Sequence, residues 1–229
     1  MLDGADHYDE LVRKAIPGAR VSLWIATANV KEMRVEAPIG TAARAKGRFV
    51  SVLDTLAALH RAGVELRFLH AGIPSRAFRA ELARQPRLRD GGLPMRQCPR
   101  VHLKLVAIDG RLLYLGSANF TGAGLGAKGA GRRNFEMGLL TEDDVWLDAA
   151  QERFDRIWSG RECKGCGLRS ACPKPIDTAL AAKATARAAA SGACPPRVPV
   201  PHPPSSGARL RRTRGAGSPA SPSPRTRKT

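Results

Sequence analysis

Val101-His-Leu-Lys-Leu-Val-Ala-Ile-Asp-Gly-Arg-Leu-Leu-Tyr-Leu-Gly-Ser-Ala-Asn119 consists of two short apolar runs on either side of Asp109-Gly110. An Asp-Gly pair between such runs is a strong hairpin signal. Side chains two apart on a strand point the same way. The spacing therefore puts His102 and Lys104 on one face of the first strand, and Ser117 and Asn119 on one face where the second strand ends. An imidazole, an ammonium, a hydroxyl and a carboxamide then converge on one small volume. That set suits a phosphate: the ammonium supplies charge, the hydroxyl and amide supply donors, and the imidazole can attack or carry a proton.

Upstream, Ala5 to Ile16 has the apolar spacing of an amphipathic helix, with Tyr8, Leu11, Val12, Ala15 and Ile16 on one side and Pro17-Gly18 as its stop. Val21 to Val30 is a nearly unbroken apolar run and suits a strand buried on both faces. Asn29 near its end could line the site, although a strand-terminal Asn is commonly a turn residue. Lys31 to Lys46 reads as a loop. Arg48 to Ala62 is helical by spacing, Val64 to Leu69 is a strand, and Ser75 to Arg84 is a short basic helix. His60 and His70 fall on a helix surface and a strand end.

Downstream, the glycine-rich stretch Thr121 to Gly131 favours mobility. Lys128, Arg132 and Arg133 could steer a phosphodiester backbone, or simply be solvated charges. Asn134 to Thr141 reads as a strand. Asp143 and Asp144 can cap a helix to Ser159, with Val145, Trp146, Ala149, Ala150, Phe154 and Ile157 inward and Gly160 as its stop. The whole is an α/β pattern with a mixed β-sheet flanked by helices.

The 229 residues carry 38 Lys+Arg against 20 Asp+Glu, a formal charge of +18. From Pro173 to Thr229, eleven basic residues face the single acid Asp177; that segment holds +10 and leaves +8 to the body. A chain this basic attracts polyanions, nucleic acid first and an anionic membrane second. The N-terminus has no apolar signal core, and no apolar run approaches the length of a membrane span. We therefore expect a cytoplasmic protein with no integral membrane segment, whose five cysteines are thiols or metal ligands rather than disulfides.

The spacing His-x-Lys-x4-Asp-x6-Gly-Ser-x-Asn, carried by His102, Lys104, Asp109, Gly116, Ser117 and Asn119, resembles the HKD motif of the phospholipase D superfamily. Asn134-Phe-Glu136 resembles the segment where that family places a glutamate behind its histidine. The competing reading, a plain hairpin with a stray His and Lys, does not account for so many residues at fixed spacing. The resemblance implies a phospholipase D-like sandwich over residues 1–160, and a phosphodiesterase whose catalytic residues are His102, Lys104, Asp109, Ser117, Asn119 and Glu136. It assigns nucleophilic attack to His102 through a phosphohistidine, oxygen binding to Lys104 and Asn119 with help from Ser117, and orientation of the imidazole to Glu136. Asp109, at the turn, points away from this cluster and would hold the hairpin. No cofactor is implied for catalysis. A second copy of the motif is absent from the sequence, so the resemblance implies a homodimer with one histidine from each subunit. DNA or RNA is the expected substrate. A phospholipid is the alternative, and a non-catalytic nucleic-acid-binding protein is a further one.

Cys163-Lys-Gly-Cys166-Gly-Leu-Arg-Ser-Ala-Cys172-Pro173 has C-x2-C-x5-C spacing, typical of metal ligands. Cys98 is the best fourth ligand, and Cys194 a weaker one. The pattern resembles the iron–sulfur staple of RecB-like nucleases in its cysteines alone. We expect segment 161–176 to hold a [4Fe–4S] cluster, with structural zinc and unliganded thiols as alternatives. From residue 177 the composition turns to Ala, Pro, Ser and Arg. After a frayed Ala-rich helix over 178–190, a disordered basic tail is expected.

Overall fold

The computed structural model describes residues 1–37 and 40–178. Most of the Ala-rich stretch, Cys194 and the basic tail lie outside the described residues. In chain order the strands are β1 (Leu2–Asp3), β2 (Ser22–Thr27), β3 (Arg34–Glu36), β4 (Phe49–Ser51), β5 (Glu65–His70), β6 (Met95–Gln97), β7 (Leu105–Ile108), β8 (Leu112–Gly116) and β9 (Met137–Thr141). The α-helices are α1 (Ala42–Ala45), α2 (Val52–Arg61), α3 (Arg76–Ala83) and α4 (Asp144–Trp158). His7–Ala15 is a helix of π type.

Seven strands form one sheet in the order β1-β9-β8-β7-β2-β5-β6, and β3 and β4 pair separately. β2, β5 and β6 run parallel, while β7, β8, β9 and β1 join antiparallel. The sheet is mixed, as the pattern of apolar runs predicts.

The central strand β7 is apolar throughout because both its faces are covered. Leu105 and Ala107 pack with Leu147, Phe154 and Trp158 of α4. The alternate residues Val106 and Ile108 pack with Leu11 of the first helix, Leu53 and Leu56 of α2 and Phe68. Each such buried Leu, Ile or Phe contributes about 1.5–3 kcal/mol. Ser51 starts α2 with a capping box: its hydroxyl accepts from Leu53 N–H while Asp54 accepts from Ser51 N–H.

Three expectations are corrected. The stretch 31–46 is not all loop, since β3 and α1 lie within it. The second helix begins at Val52 rather than at Arg48, and Phe49 sits exposed on β4. In α4, Val145 and Trp146 are exposed at 78% and 56%; Phe154 faces inward as expected, and Leu147 and Trp158 join it. Trp158 is held in place by Arg96, whose guanidinium lies 4.0 Å over its ring.

Candidate active site

The site is a product of register. β7 and β8 are antiparallel with Leu105 opposite Leu115. The residues before β7 and after β8 therefore lie side by side, and Gly116 N–H donates to Lys104 C=O at 3.2 Å. β2 flanks β7 with Ala26 opposite Leu105, which brings Thr27 and Asn29 to the same end. β9 flanks β8 with Gly138 opposite Gly116, which brings Glu136. His102, Lys104, Ser117, Asn119 and Glu136 thus gather at one end of the sheet, from three separate stretches of chain.

His102 and Lys104 do not lie on the strand itself; β7 starts at Leu105, and the two occupy its extended lead-in. His102 is exposed and Lys104 half-buried. Lys104 Nζ lies 3.1 Å from His102 Nδ1 and 3.2 Å from Nε2, and donates to His102 C=O at 2.9 Å. Burial lowers the lysine pKa, and the charge of Glu136 opposes that shift.

Asn119 is pinned by its oxygen. Oδ1 accepts from Asn29 N–H at 3.1 Å and from the Thr27 hydroxyl at 3.3 Å. Among the described residues the amide Nδ2, a double donor, has no hydrogen-bond partner. Thr27 is itself fixed, since its hydroxyl accepts from Phe120 N–H at 3.0 Å. Asn29, read as either a site residue or a turn residue, serves by its backbone.

Within the single chain, Glu136 is bonded to neighbours other than His102. Oε2 accepts from Ser117 Oγ at 2.5 Å, and Oε1 accepts from Asn134 Nδ2 at 3.0 Å. The Ser117 hydroxyl also accepts from Met137 N–H at 3.1 Å. Ser117 is therefore engaged in holding the glutamate.

Asp109 stands apart from this group. It lies at the opposite end of β7, five residues from Lys104 or about 17 Å along an extended strand. The motif groups it with the catalytic residues; the structure removes it from them. Its carboxylate accepts the N–H groups of Arg20, Val21 and Ser22 at 2.7–3.0 Å. Asp109 and Gly110 hold φ of 56° and 63°, the positive values of a primed turn.

Sequence reasoning missed His7 and Tyr114. His7 is fully buried, with Nδ1 3.0 Å from the Tyr114 hydroxyl and Nε2 3.2 Å from Glu136 C=O. The pair thereby braces the backbone of the glutamate. The signal was available: His7 precedes Leu11 by one helical turn and shares its buried stripe. Burial, with the nearby Glu136 charge, raises the Tyr114 pKa far above the ordinary phenol value.

The glycine-rich stretch is also not the mobile loop expected. Thr121, Gly122, Gly124, Leu125 and Gly126 are buried. A Cβ on Gly124 would meet Asn119 C=O at 2.6 Å, so glycine here permits close packing behind the site. Arg133 donates to Lys128 C=O at 2.6 Å and ties the loop, leaving Lys128 and Arg132 exposed. His70 is buried at the end of β5 with Nδ1 2.8 Å from Gly72 C=O, and burial lowers its pKa. It is the register partner of Thr27 across β2 and β5, while His60 lies on α2.

Cys98, Cys163, Cys166 and Cys172 all line one cavity of about 90 Å³ and form no disulfide. Among the described residues, no three His, Cys, Asp or Glu side chains converge closely enough to hold a single metal ion. Among the same residues, no helix is long and apolar enough to cross a membrane.

Residues 12–158 match a family model described as cardiolipin synthase, PLD-like domain. No curated protein matches the chain. Among solved structures, the phospholipase D family member Nuc from Salmonella typhimurium is similar over 66% of this chain and 86% of its own, with 19% identity and a TM-score of 0.45. NucT from Helicobacter pylori is similar over the same shares, 66% and 86%, with 16% identity and a TM-score of 0.47. TrmBL2, an archaeal chromatin protein, is similar over 69% of this chain and 51% of its own, with 13% identity and a TM-score of 0.43.

Proposed function

This chain belongs to the phospholipase D superfamily, and on that premise we propose that it is a phosphodiesterase that cleaves nucleic acid through a phosphohistidine. The observation that carries the reading is the exposed His102 with Lys104 Nζ 3.1 Å from its ring, beside an Asn119 whose oxygen is already occupied. The nucleophile, the cation and the amide donor face the same open end of the sheet.

In the proposed reaction a His102 nitrogen bonds to phosphorus as the bond to the leaving oxygen breaks. The partner subunit's His102 gives that oxygen a proton. The same imidazole, now a base, takes a proton from water, whose oxygen bonds to phosphorus as the bond to the first His102 nitrogen breaks and frees that imidazole. Lys104 and Asn119 hold the non-bridging oxygens as charge builds there, and removing one such donor typically costs about 10²–10³ in rate. Glu136, bonded to Ser117 in the single chain, is the carboxylate available to an imidazole entering from a second copy.

An apolar surface beside the site supports the two-copy reading. Phe135, Met137 and Leu139 alternate in sequence with Glu136 and are exposed at 105%, 61% and 36%. Trp146 adds to the exposed apolar surface of the following helix. Large exposed apolar side chains grouped in this way suit a protein interface. Nucleic acid is favoured as substrate by the +18 charge. The description of the matching family model gives the second reading, a phospholipid substrate.

The test assays purified full-length protein, with EDTA present, against a bis-aryl phosphodiester, DNA, RNA and anionic phospholipid vesicles. The proposal expects cleavage of the model diester and of nucleic acid, an acid-labile phosphorylated His102, and no turnover in His102→Ala. Turnover of vesicles alone would establish the phospholipid reading. Nucleic-acid binding without turnover in the parent would overturn the enzyme.

A further inference from the structure

The strongest feature the proposed reaction leaves unused is the cysteine-lined cavity. Three of its thiols come from the segment after α4, and the fourth, Cys98, comes from the turn after β6. Sixty-four residues separate Cys98 from Cys163, yet both border the same space. The rest of the wall is largely apolar: Pro99, Val101, Ile157, Leu168 and Ile176. Arg100, Arg153 and Arg169 also line it, against one acid, Glu162. Four thiols around an apolar cavity with a positive rim have no structural need to meet there.

From this arrangement we propose that Cys98, Cys163, Cys166 and Cys172 bind a [4Fe–4S] cluster. A single zinc ion needs all four sulfurs about 2.3 Å from one point. The four thiols line one cavity, and among the described residues no three potential ligands are grouped to hold a single ion. A cubane cluster asks for that, because each thiolate binds a different iron at the periphery of an inorganic core. The arginines offset the negative charge that four thiolates bring. Loading from a thiolate-ligated donor cluster is ligand exchange: as each cysteine sulfur bonds to one iron, the donor thiolate leaves that iron and takes up the cysteine's proton, and no electron is gained or lost.

The cluster would also be a cross-link. Cys98 C=O accepts from Val101 N–H at 2.9 Å, and His102 follows directly. Iron at Cys98 therefore ties the segment after α4 to the lead-in of His102. This assignment is independent of the substrate.

The test is the metal content of full-length protein purified without oxygen from iron-replete cells. The expected result is about four irons and four acid-labile sulfides per chain, with the visible absorption and Mössbauer signature of a cubane cluster. Cys166→Ser should lose most of the iron and sulfide, while Cys194→Ser should keep both. One zinc per chain, or a metal-free parent with all four thiols open to alkylation, would overturn the proposal. The parent's own content decides the matter even if a variant fails to fold.

Discussion

Asn119 accepts the backbone N–H of Asn29 through its side-chain oxygen, at 3.1 Å. Only a carboxamide can accept on that side and still donate on the other. Asn119→Asp preserves the acceptor and replaces the donor with a negative charge facing an anionic substrate. The rate of diester cleavage should fall about 10²-fold or more, with the melting temperature little changed. Steady-state kinetics beside a thermal melt checks this; an unchanged kcat would remove Asn119 from the chemistry.

Asp109 should matter to stability and not to the chemical step. Burial pushes its carboxyl upward, but the donors Ser22, Val21 and Arg20 outweigh that effect and hold its pKa below the usual carboxylate value. A lowered folded pKa means stability present above the unfolded pKa of about 4 and lost as pH falls through the folded value. Asp109→Asn tolerates the positive φ and loses the charge. It should cost about 1–2 kcal/mol at neutral pH, with the gap to the parent closing below about pH 4. Denaturant melts across pH measure it, and a gap independent of pH would refute the assignment.

Gly138 opposes Gly116 across β8 and β9. A Cβ on Gly138 would meet Tyr114 Cε2 at 2.6 Å and His7 Cε1 at 2.9 Å. Both rings are buried and bonded to each other, so neither can swing aside. Gly138→Ala should cost about 1–3 kcal/mol through overpacking, and it should disturb Glu136, whose carbonyl His7 contacts. Chemical denaturation gives the first effect. A stability equal to that of the parent would mean that the two strands separate freely there.

Much of the site was legible because it obeys local rules. Asp-Gly sets the hairpin, and the hairpin alone brings residues 102 and 104 beside 117 and 119. Asp143 caps α4 through bonds to Val145 and Trp146 N–H, as a carboxylate before an apolar run should. The short strands β3, β4 and β6 were not legible. A strand of three residues has too little periodicity to announce itself, and it exists because a neighbour supplies its hydrogen bonds. The inward face of α4 was misjudged for a related reason. Its apolar residues are compatible with more than one stripe, and contact with Leu105, Ala107 and Leu113 selects the stripe of Leu147, Phe154 and Trp158.

The amino-acid order alone determined which reactive side chains stand at strand and turn spacing in this chain, because those are local properties. It also determined that three cysteines lie within one short stretch. Tertiary structure decided what those groups face. Sheet register brought Thr27 and Asn29 to Asn119, bound Glu136 to Ser117, tied Asp109 to the backbone of Arg20, Val21 and Ser22, and drew Cys98 to the cavity of Cys163, Cys166 and Cys172. Such meetings depend on hydrogen bonds and packing between segments tens of residues apart, and no local spacing encodes them.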